Sequence, residues 1–199
     1  MHESSLQHVD RLVRLHLERS KPQTIIDIGS YDVNGSYKPF FDVPGWHYTG
    51  VDLTAGPNVD VVLRSPYRLP FASYSVDVIV SGQAFEHIEF FWLTWLEMAR
   101  VLKPGGHIFL VAPSRGPEHR YPQDCWRFYP DGYKALAAFG GLELLNAEAD
   151  WEPHADPASA PWGDCVGVFR QPPLNAWRRW KKVMVQQIRY RTVPGYKTD

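Results

Sequence analysis

Apolar residues along the chain recur first at helical spacing and then as short continuous runs. Between positions 6 and 17 they lie three or four residues apart, which predicts a helix within residues 1–22. Ser4 and Gln7 have the spacing of a capping box at the start of this helix, and Pro22 closes the segment.

Seven short apolar runs further along the chain predict β-strands. They occupy residues 24–28, 46–53, 59–63, 75–81, 107–112, 142–148 and 165–170. Helices are expected at residues 90–102 and 131–139, the first of them stopped by the Lys103-Pro104-Gly105-Gly106 turn. Short buried strands that alternate with helices are typical of an α/β protein with a parallel sheet covered on both faces. The last two runs could pair antiparallel at one edge.

The composition is that of an ordinary globular domain. The 199 residues are 44% hydrophobic and 22% charged, with a net charge of −1. The first twenty residues interrupt their leucines with charges, unlike a signal peptide, and no apolar run is long enough to cross a bilayer. A cytoplasmic protein is therefore expected, with Cys125 and Cys165 as reduced thiols.

Candidate ligand-binding residues follow the first two predicted strands. Open α/β sheets bind ligands beyond the carboxyl ends of their strands. Gly29 follows the first strand, and the nearby Asn34-Gly35 pair tolerates the positive φ of a tight turn. Asp52 ends the second strand, where a carboxylate can accept both hydroxyls of a ribose. Alone, Asp52 is equally well explained as a solvated strand-end acid, but its spacing from the loop favours ligand binding.

The loop after the first strand departs from the dinucleotide fingerprint GxGxxG. Tyr31 stands where that motif has its second glycine, which lets a pyrophosphate approach the backbone. A nucleoside that carries an amino acid does not need this contact. The loop therefore favours such a ligand over a dinucleotide and counts against a nucleotide-dependent oxidoreductase.

An ordered series of short motifs resembles a known family. The motifs are Asp27-x-Gly29, Val51-Asp52, Leu69-Pro70-Phe71, Ser75-Val76-Asp77-Val78-Ile79, Phe85-Glu86-His87 and Arg100-Val101-Leu102-Lys103-Pro104-Gly105-Gly106. Over about residues 24–114, this series is similar to the class I S-adenosylmethionine-dependent methyltransferases. The resemblance implies a Rossmann-like three-layer sandwich in residues 1–170, with a mainly parallel seven-stranded sheet whose last strand is antiparallel.

The resemblance also implies which residues hold the cofactor, S-adenosyl-L-methionine. The Gly29–Gly35 loop would cradle its methionine end, with Asp27 orienting the loop, and Asp52 would bind its ribose. Residues 65–67 would line the adenine, and residues 83–84 would close over the cofactor. The expected set is Asp27, Gly29, Ser30, Tyr31, Asn34, Gly35, Asp52, Leu53, Ser65, Pro66, Tyr67, Gln83 and Ala84.

Two positions depart from the family's pattern. Its DxGxGxG loop reads DxGxxxxxG in this chain, and Ser65 stands where an acid usually binds the adenine amino group. Either change could weaken cofactor binding. They support an alternative interpretation, in which the chain is a catalytically inactive, methyltransferase-like binding or regulatory protein.

The loop at residues 113–130 carries the candidate catalytic groups. His119 is predicted to be a general base, with Asp124 orienting it or the acceptor, because histidine exchanges protons near neutral pH. An equally good interpretation is a packed lid in which Arg127 pairs with Asp124 and Trp126 fills the core. His87 is a further candidate, although a hydrogen-bonded histidine at a helix start explains it better.

The expected acceptor is small and polar. Only the N-terminal helix, the loops at 113–130 and 152–162 and the C-terminal tail remain to form an acceptor site. The loop at 113–130 is rich in aromatic residues and arginine, which suggests that the acceptor group is the hydroxyl of a sugar, a glycan precursor or a natural product. No metal is expected, because the nearby donors match no tight ligand motif.

Residues 171–199 are predicted to be a basic, amphipathic tail. Residues 175–199 hold seven Lys/Arg against Asp199 alone, a net charge of +6, which leaves −7 for the rest of the chain. Packing on the domain or on a second subunit of a homodimer is the first interpretation. A weak contact with an anionic membrane surface is the second, and nucleic acid is the last because the rest of the chain is acidic. Four apolar residues share one helical face: Trp177, Trp180, Met184 and Ile188.

Overall fold

Seven strands form one sheet in a computed structural model that describes residues 2–191. The strands are β1 (Gln23–Ile28), β2 (Trp46–Asp52), β3 (Val61–Val62), β4 (Val76–Gly82), β5 (Leu102–Arg115), β6 (Glu143–Ala149) and β7 (Gly163–Arg170). The helices are α1 (Glu3–His16), α2 (Phe91–Val101), α3 (Pro130–Gly140) and α4 (Ala176–Arg191). Each of the seven predicted strands is therefore present, with ends that differ by a few residues.

The strand order is β3-β2-β1-β4-β5-β7-β6. Only β7 runs antiparallel to its neighbours, β5 and β6, and the pairs among β1 to β5 are parallel. The predicted sheet, mainly parallel with an antiparallel last strand, is confirmed. Strand order reverses between β1 and β4, which is where open α/β sheets form their ligand cleft.

Side chains alternate between the two faces of β5 and so define the layers. Ile108 and Leu110 are buried in a cluster with residues of α2 and α3. Phe109 and Val111 are buried in a separate cluster with residues of α1. Neighbouring residues of a strand point to opposite faces of the sheet, so α1 covers one face while α2 and α3 cover the other.

The predicted alternation of helices with the early strands is wrong. Residues 29–45 hold only a 3₁₀ turn, Lys38–Phe41, and residues 53–75 hold no helix. Proline lacks the N–H that helices need and disfavours helical backbone in the residue before it. These segments contain Pro39, Pro44, Pro57, Pro66 and Pro70.

The predicted capping box is also wrong, because Ser4 lies inside α1 and makes a tertiary contact. The N-cap is His2, and its side chain makes no capping hydrogen bond. Ser4 is buried, and its Oγ donates to Oδ2 of Asp164 at 2.9 Å. Gln7 Nε2 instead donates to Glu3 Oε1 at 3.1 Å. The hydrogen bond between Ser4 and Asp164 brings the first turn of α1 against the start of β7.

The C-terminal tail begins with α4, and residues 192–199 of the predicted tail lie outside the described residues. Within the described part of the chain, every helix is too short or too polar to cross a bilayer.

Candidate functional site

A cavity of about 760 Å³ opens at the carboxyl ends of β1, β2 and β4. Cavities of this size accommodate cofactors and other small ligands. Its wall contains Gly29, Tyr31, Asn34, Gly35, Asp52, Leu53, Pro66, Gln83 and Ala84, all predicted to bind the cofactor. It also contains both predicted catalytic histidines, His87 and His119.

The loop after β1 meets the loop after β4 closely at Gly29. Its φ is +81°, and a Cβ built there would lie 2.4 Å from Cβ of Ala84. Any side chain would therefore clash with Ala84 and strain the backbone. The backbone N–H groups of Gly29 and Ser30 donate to the carbonyl oxygen of Val51, at 3.0 and 3.2 Å. These contacts fix the loop against the end of β2.

Carboxylates hold the rest of this loop in place. Asp32 Oδ1 accepts from the backbone N–H of Gly35 at 2.7 Å. Asp52 Oδ2 accepts from the N–H of Tyr31 at 3.2 Å, and its Oδ1 accepts from the N–H of Thr54 at 3.0 Å. Asp52 therefore fixes the loop and lines the cavity at the same time.

The Tyr31 ring lies against Gly56. A Cβ at Gly56 would come within 2.1 Å of Cε2 of Tyr31, so the ring occupies the space that a side chain would need. The ring is partly exposed and forms part of the cavity wall. The absence of a side chain at Gly56 thus leaves room for the Tyr31 ring of the Gly29–Gly35 loop.

Four of the predicted cofactor residues lie outside the cavity wall. Asp27 is buried beneath the loop, where Tyr48 donates to its Oδ2 at 2.5 Å. Burial raises the pKa of Asp27 to about 7, although the hydrogen bond from Tyr48 opposes this shift. Ser30 Oγ donates to the carbonyl oxygen of Asn58 at 3.0 Å. Ser65 Oγ accepts from the backbone N–H of Tyr67 at 3.2 Å.

The Tyr67 ring packs beside Phe90, with ring centroids 5.7 Å apart, and so also lies outside the cavity wall. Of residues 65–67, Pro66 alone lines the cavity.

Gln83 lines the cavity and carries a buried amide oxygen that makes no hydrogen bond to a described residue. Its φ of 55° is unusual for a residue other than glycine, and its N–H donates to the carbonyl oxygen of Val111 at 2.9 Å. Nε2 donates to Oδ1 of buried Asp164 at 2.7 Å. Its Oε1 is buried and makes no hydrogen bond to any described residue. That oxygen can accept from an N–H or O–H group of a ligand.

Asp124 lies behind His119 and contacts it twice. Its Oδ2 accepts from the backbone N–H of His119 at 2.8 Å and lies 3.3 Å from Nδ1 of the ring. That second contact is not a hydrogen bond. Arg127 donates to both Asp124 oxygens, at 2.5 and 2.8 Å, and holds the pKa of that carboxyl well below its usual range.

The two interpretations of the 113–130 loop are therefore compatible. Arg127 pairs with Asp124, as expected for a packed lid, while Asp124 also accepts from the backbone N–H of His119. Trp126 does not fill the core: it is 37% exposed and donates to the carbonyl oxygen of Ile88 at 3.1 Å.

His87 joins this loop to the end of β4. It ends a 3₁₀ turn, Phe85–His87, and its Nδ1 lies 2.5 Å from the carbonyl oxygen of Gln123. The rings of His87 and His119 meet edge to face, with centroids 4.8 Å apart. Burial lowers the pKa of His87. The wall of the cavity thus holds two adjacent imidazoles.

Glu86 is a buried acid next to these histidines. It is fully buried, and neither carboxylate oxygen has a hydrogen bond of ordinary geometry to a described residue. Burial raises the pKa of Glu86 to about 8, although the residue's own N–H and the charge of Arg127 oppose this shift. Its carbonyl oxygen accepts from the N–H of Cys125 at 2.7 Å, so the residue also anchors the 113–130 loop.

We expect Glu86→Gln to make stability less sensitive to pH. The folded protein holds the Glu86 proton up to about pH 8, whereas the unfolded chain releases it near 4.5. The resulting stabilisation of the folded protein is complete below pH 4.5 and is lost as the pH rises towards about 8. The free energy of unfolding of the variant, minus that of the parent, should rise by about 2 kcal/mol between pH 5 and pH 7.

Urea denaturation at a series of pH values measures this difference. Glu89→Gln, at an exposed position nearby, is the matched control and should leave the pH dependence unchanged. A constant difference between Glu86→Gln and the parent across this range would contradict a protonated, buried Glu86.

Two aromatic residues far apart in sequence complete the cavity wall. The Trp162 ring lies 4.6 Å from that of His119 and stacks on His2 at 4.8 Å. Both line the cavity. Trp162 ends the 152–162 loop, which was expected on the acceptor side. No sequence motif identified Trp162 or His2 as a residue of the cavity wall. Further wall residues absent from the predicted set are Ile28, Val33, Thr54, Leu63, Gly82, Ile88, Arg120, Tyr121 and Pro122.

Sequence comparison connects the chain with methyltransferases. A family model described as "Methyltransferase domain" matches residues 34–110. An uncharacterized methyltransferase of Mycobacterium sp. (strain KMS) is 37% identical over 93 residues, which cover 42% of this chain and 36% of that protein. One from Mycobacterium tuberculosis (strain ATCC 25618 / H37Rv) is 33% identical over 112 residues, or 51% of this chain and 43% of that protein. The matches thus span less than half the length of these relatives.

Structure comparison shows the same fold in methyltransferases. A 1,6-didemethyltoxoflavin-N1-methyltransferase of Burkholderia thailandensis, with bound 1,6-didemethyltoxoflavin and S-adenosylhomocysteine, has a TM-score of 0.67 and 16% identity. The alignment covers 86% of this chain and 80% of that one. A chain from the complex of the Haloferax volcanii Trm112 methyltransferase activator with a methyltransferase has a TM-score of 0.64 and 19% identity, with coverages of 86% and 92%.

Proposed function

Because residues 34–110 match a methyltransferase domain and the fold is shared with methyltransferases, we propose that the chain is a class I S-adenosylmethionine-dependent methyltransferase, that its cavity holds S-adenosyl-L-methionine and that it methylates a small polar acceptor. One observation carries most of this proposal. A single cavity joins the Gly29–Gly35 loop and Asp52 to the His119–Asp124 pair. A cofactor in the loop would thus lie beside a group able to accept a proton.

Asp52 and Gln83 are the proposed polar contacts of the cofactor. The Asp52 carboxylate accepts one N–H at each oxygen, and each oxygen retains capacity for a ribose hydroxyl. Gln83 lines the cavity, and its buried Oε1 has no hydrogen bond to a described residue; we assign it to the amino group of the methionine end, which a small shift of the amide would allow it to reach. Asp27 acts from below by supporting the loop, since it lies outside the cavity wall.

The proposed reaction is a direct displacement at the methyl carbon. S-adenosyl-L-methionine, held by the Gly29–Gly35 loop and Asp52, would supply an activated methyl group to an acceptor oxygen and would leave as the neutral thioether. His119 takes the hydroxyl proton, and Asp124 orients the imidazole. Because the sulfonium methyl is already activated, the protein's main contribution is to align the reacting groups.

The wall around His119 supports an acceptor that contains a ring. Tyr121 and Trp162 lie beside the imidazole, with ring centroids 6.3 and 4.6 Å away. Aromatic faces pack well against flat or sugar-like ligands. We therefore favour the hydroxyl of a sugar, a glycan precursor or a natural product. The Burkholderia neighbour, solved with a small ring compound, is consistent with an acceptor of this size.

Calorimetric titration with S-adenosylmethionine, S-adenosylhomocysteine and NAD tests the cofactor assignment. We expect micromolar binding of the first two and none of NAD, because the cavity has no glycine-rich pyrophosphate loop. Absence of binding by all three would refute the cofactor assignment.

Release of S-adenosylhomocysteine in a screen of sugars, nucleotide sugars and phenolic natural products tests the activity. Turnover with one of these hydroxyl compounds supports the proposal. Tight cofactor binding without turnover in the whole screen would favour a binding or regulatory protein that has lost catalysis.

A further inference from the structure

Three side chains that can bind a metal ion converge at the wall of the cavity. Glu86, His87 and His119 each offer one donor atom, and these three atoms all lie within 4.8 Å of one another. Oε1 of Glu86 lies 3.6 Å from Nε2 of His87. Donors on one tetrahedral zinc ion are about 3.4 Å apart, because zinc binds nitrogen and oxygen at about 2.1 Å. A shift of about 1.4 Å or less by the His119 side chain would therefore complete the site.

Donor atoms of this group are buried without other partners. Glu86 is fully buried, and neither of its carboxylate oxygens has a hydrogen bond of ordinary geometry to a described residue. Nδ1 of His119 is also buried and makes no hydrogen bond to a described residue. An ionised carboxylate in a protein interior normally pairs with a cation or coordinates a metal ion. A metal ion at this position would supply the charge that the Glu86 carboxylate lacks.

Gln123 holds His87 in the orientation of a metal ligand. Nδ1 of His87 lies 2.5 Å from the carbonyl oxygen of Gln123, and this nitrogen carries the ring proton because a carbonyl can only accept. Nε2 of the neutral ring therefore keeps its lone pair, and it is the nitrogen that faces Glu86. Nε2 of Gln123 also donates to the carbonyl oxygen of His87 at 2.9 Å. Histidines that bind metals usually donate their second nitrogen to such a carbonyl.

We infer that Glu86, His87 and His119 bind a divalent transition-metal ion, with zinc as the best match. Two imidazoles and one carboxylate suit zinc, whereas magnesium and calcium prefer oxygen ligands throughout. The two histidines line the cavity and Glu86 is buried beside them, so the fourth position of the ion would face the cavity. No ligand motif marks this site in the sequence, because the 113–130 loop brings His119 to the Glu86-His87 pair.

The neighbouring charges leave room for a cation. Arg127 donates to both oxygens of Asp124, at 2.5 and 2.8 Å, so these two opposite charges are paired with each other. The Arg127 guanidinium is thereby directed at Asp124, and the cation that would balance Glu86 is the metal ion.

A second group of donors, His8, Asp150 and Asp164, fits a metal ion less well. Nε2 of His8 lies 2.8 Å from Oδ2 of Asp150. Asp164 accepts from the Ser4 hydroxyl at 2.9 Å and from Nε2 of Gln83 at 2.7 Å. An ion would have to replace these contacts, whereas the carboxylate of the first group has none of this kind to lose.

The ion and the proposed general-base role of His119 exclude each other. A neutral imidazole has one nitrogen lone pair, and a metal on either ring nitrogen uses it. His119 then cannot take a proton from the acceptor, so a bound ion should inhibit the proposed methyl transfer. Metal binding itself goes beyond that activity and does not depend on it.

Calorimetric titration of the full 199-residue chain, freed of metal by dialysis against EDTA, tests the inference. We expect one zinc ion per chain, a dissociation constant of about 1 μM or below, and no binding of Mg²⁺ at the same concentrations. Co²⁺ in place of zinc should give the strong visible absorption of a four-coordinate ion. Absence of stoichiometric zinc binding, or equal binding of Mg²⁺, would overturn the inference.

Two variants and a control locate the ion. Glu86→Gln and His119→Ala should each weaken zinc binding about a hundredfold and lose the Co²⁺ absorption, because each removes a ligand. His8→Ala is the matched control, since it removes the histidine of the second group and should leave zinc binding unchanged. Thermal unfolding of the metal-free variants checks their fold. Unchanged zinc binding in both ligand variants, or its loss in His8→Ala, would also overturn the inference.

Discussion

His119→Ala lowers kcat for methyl transfer about a thousandfold, or about 4 kcal/mol in the barrier, if His119 removes the acceptor proton. The side chain lies in the cavity wall with its Nδ1 next to Asp124, which leaves Nε2 for the acceptor. Affinity for S-adenosylmethionine should change by less than about twofold, since no predicted cofactor contact is lost. Steady-state kinetics with the acceptor found by the screen, together with calorimetry, measures both quantities.

Two further variants separate proton transfer from general damage to the protein. His47→Ala removes an exposed histidine of β2 and should keep the parent's rate. Asp124→Asn should lower kcat less than His119→Ala does, because Asp124 acts by positioning the imidazole. A fully active His119→Ala variant would remove His119 from the role of base.

We expect Asp52→Ala to raise the Kd for S-adenosylmethionine several hundredfold, or by about 3–4 kcal/mol. Two hydrogen bonds from ribose hydroxyls to a carboxylate contribute about this much. The variant also frees the N–H of Tyr31, so the loop loses a fixed point. The fold should survive, because Asp52 is at the end of β2 and outside the main buried clusters.

Calorimetry measures the affinity of this variant, and thermal unfolding checks its fold. Asp42→Ala, at an exposed acid outside the cavity, serves as the matched control. Unchanged affinity in Asp52→Ala would mean that the ribose binds elsewhere.

The strands were predictable from the sequence because each buried run is short, apolar and bounded by turn residues. The sheet order was not readable from these runs, and the resemblance implied only the number of strands and the antiparallel direction of the last one. The helices expected between the early strands are absent, because prolines interrupt residues 29–45 and 53–75. Ser4 was misassigned as a cap because its partner, Asp164, is distant in sequence.

The candidate site was partly predictable because several of its residues lie at the ends of the predicted strands. Gly29 and Gln83 directly follow strands and Asp52 ends one, and parallel strands bring their carboxyl ends together. His2 and Trp162 come to the cavity only through α1 and the antiparallel β7, and local patterns do not encode that placement. The raised pKa of Glu86 likewise depends on burial, which its own motif does not reveal.

The 3₁₀ turn after β1 has a consequence for competition between ligands. A helix that begins behind such a loop brings the positive end of its dipole, which attracts phosphates. Residues 29–45 contain no α-helix, and the carboxylates of Asp32 and Asp52 lie on and beside the Gly29–Gly35 loop. ATP and other polyphosphates therefore gain no such attraction and meet negative charge. The cavity should remain available to a cationic sulfonium ligand even where adenine nucleotides are abundant.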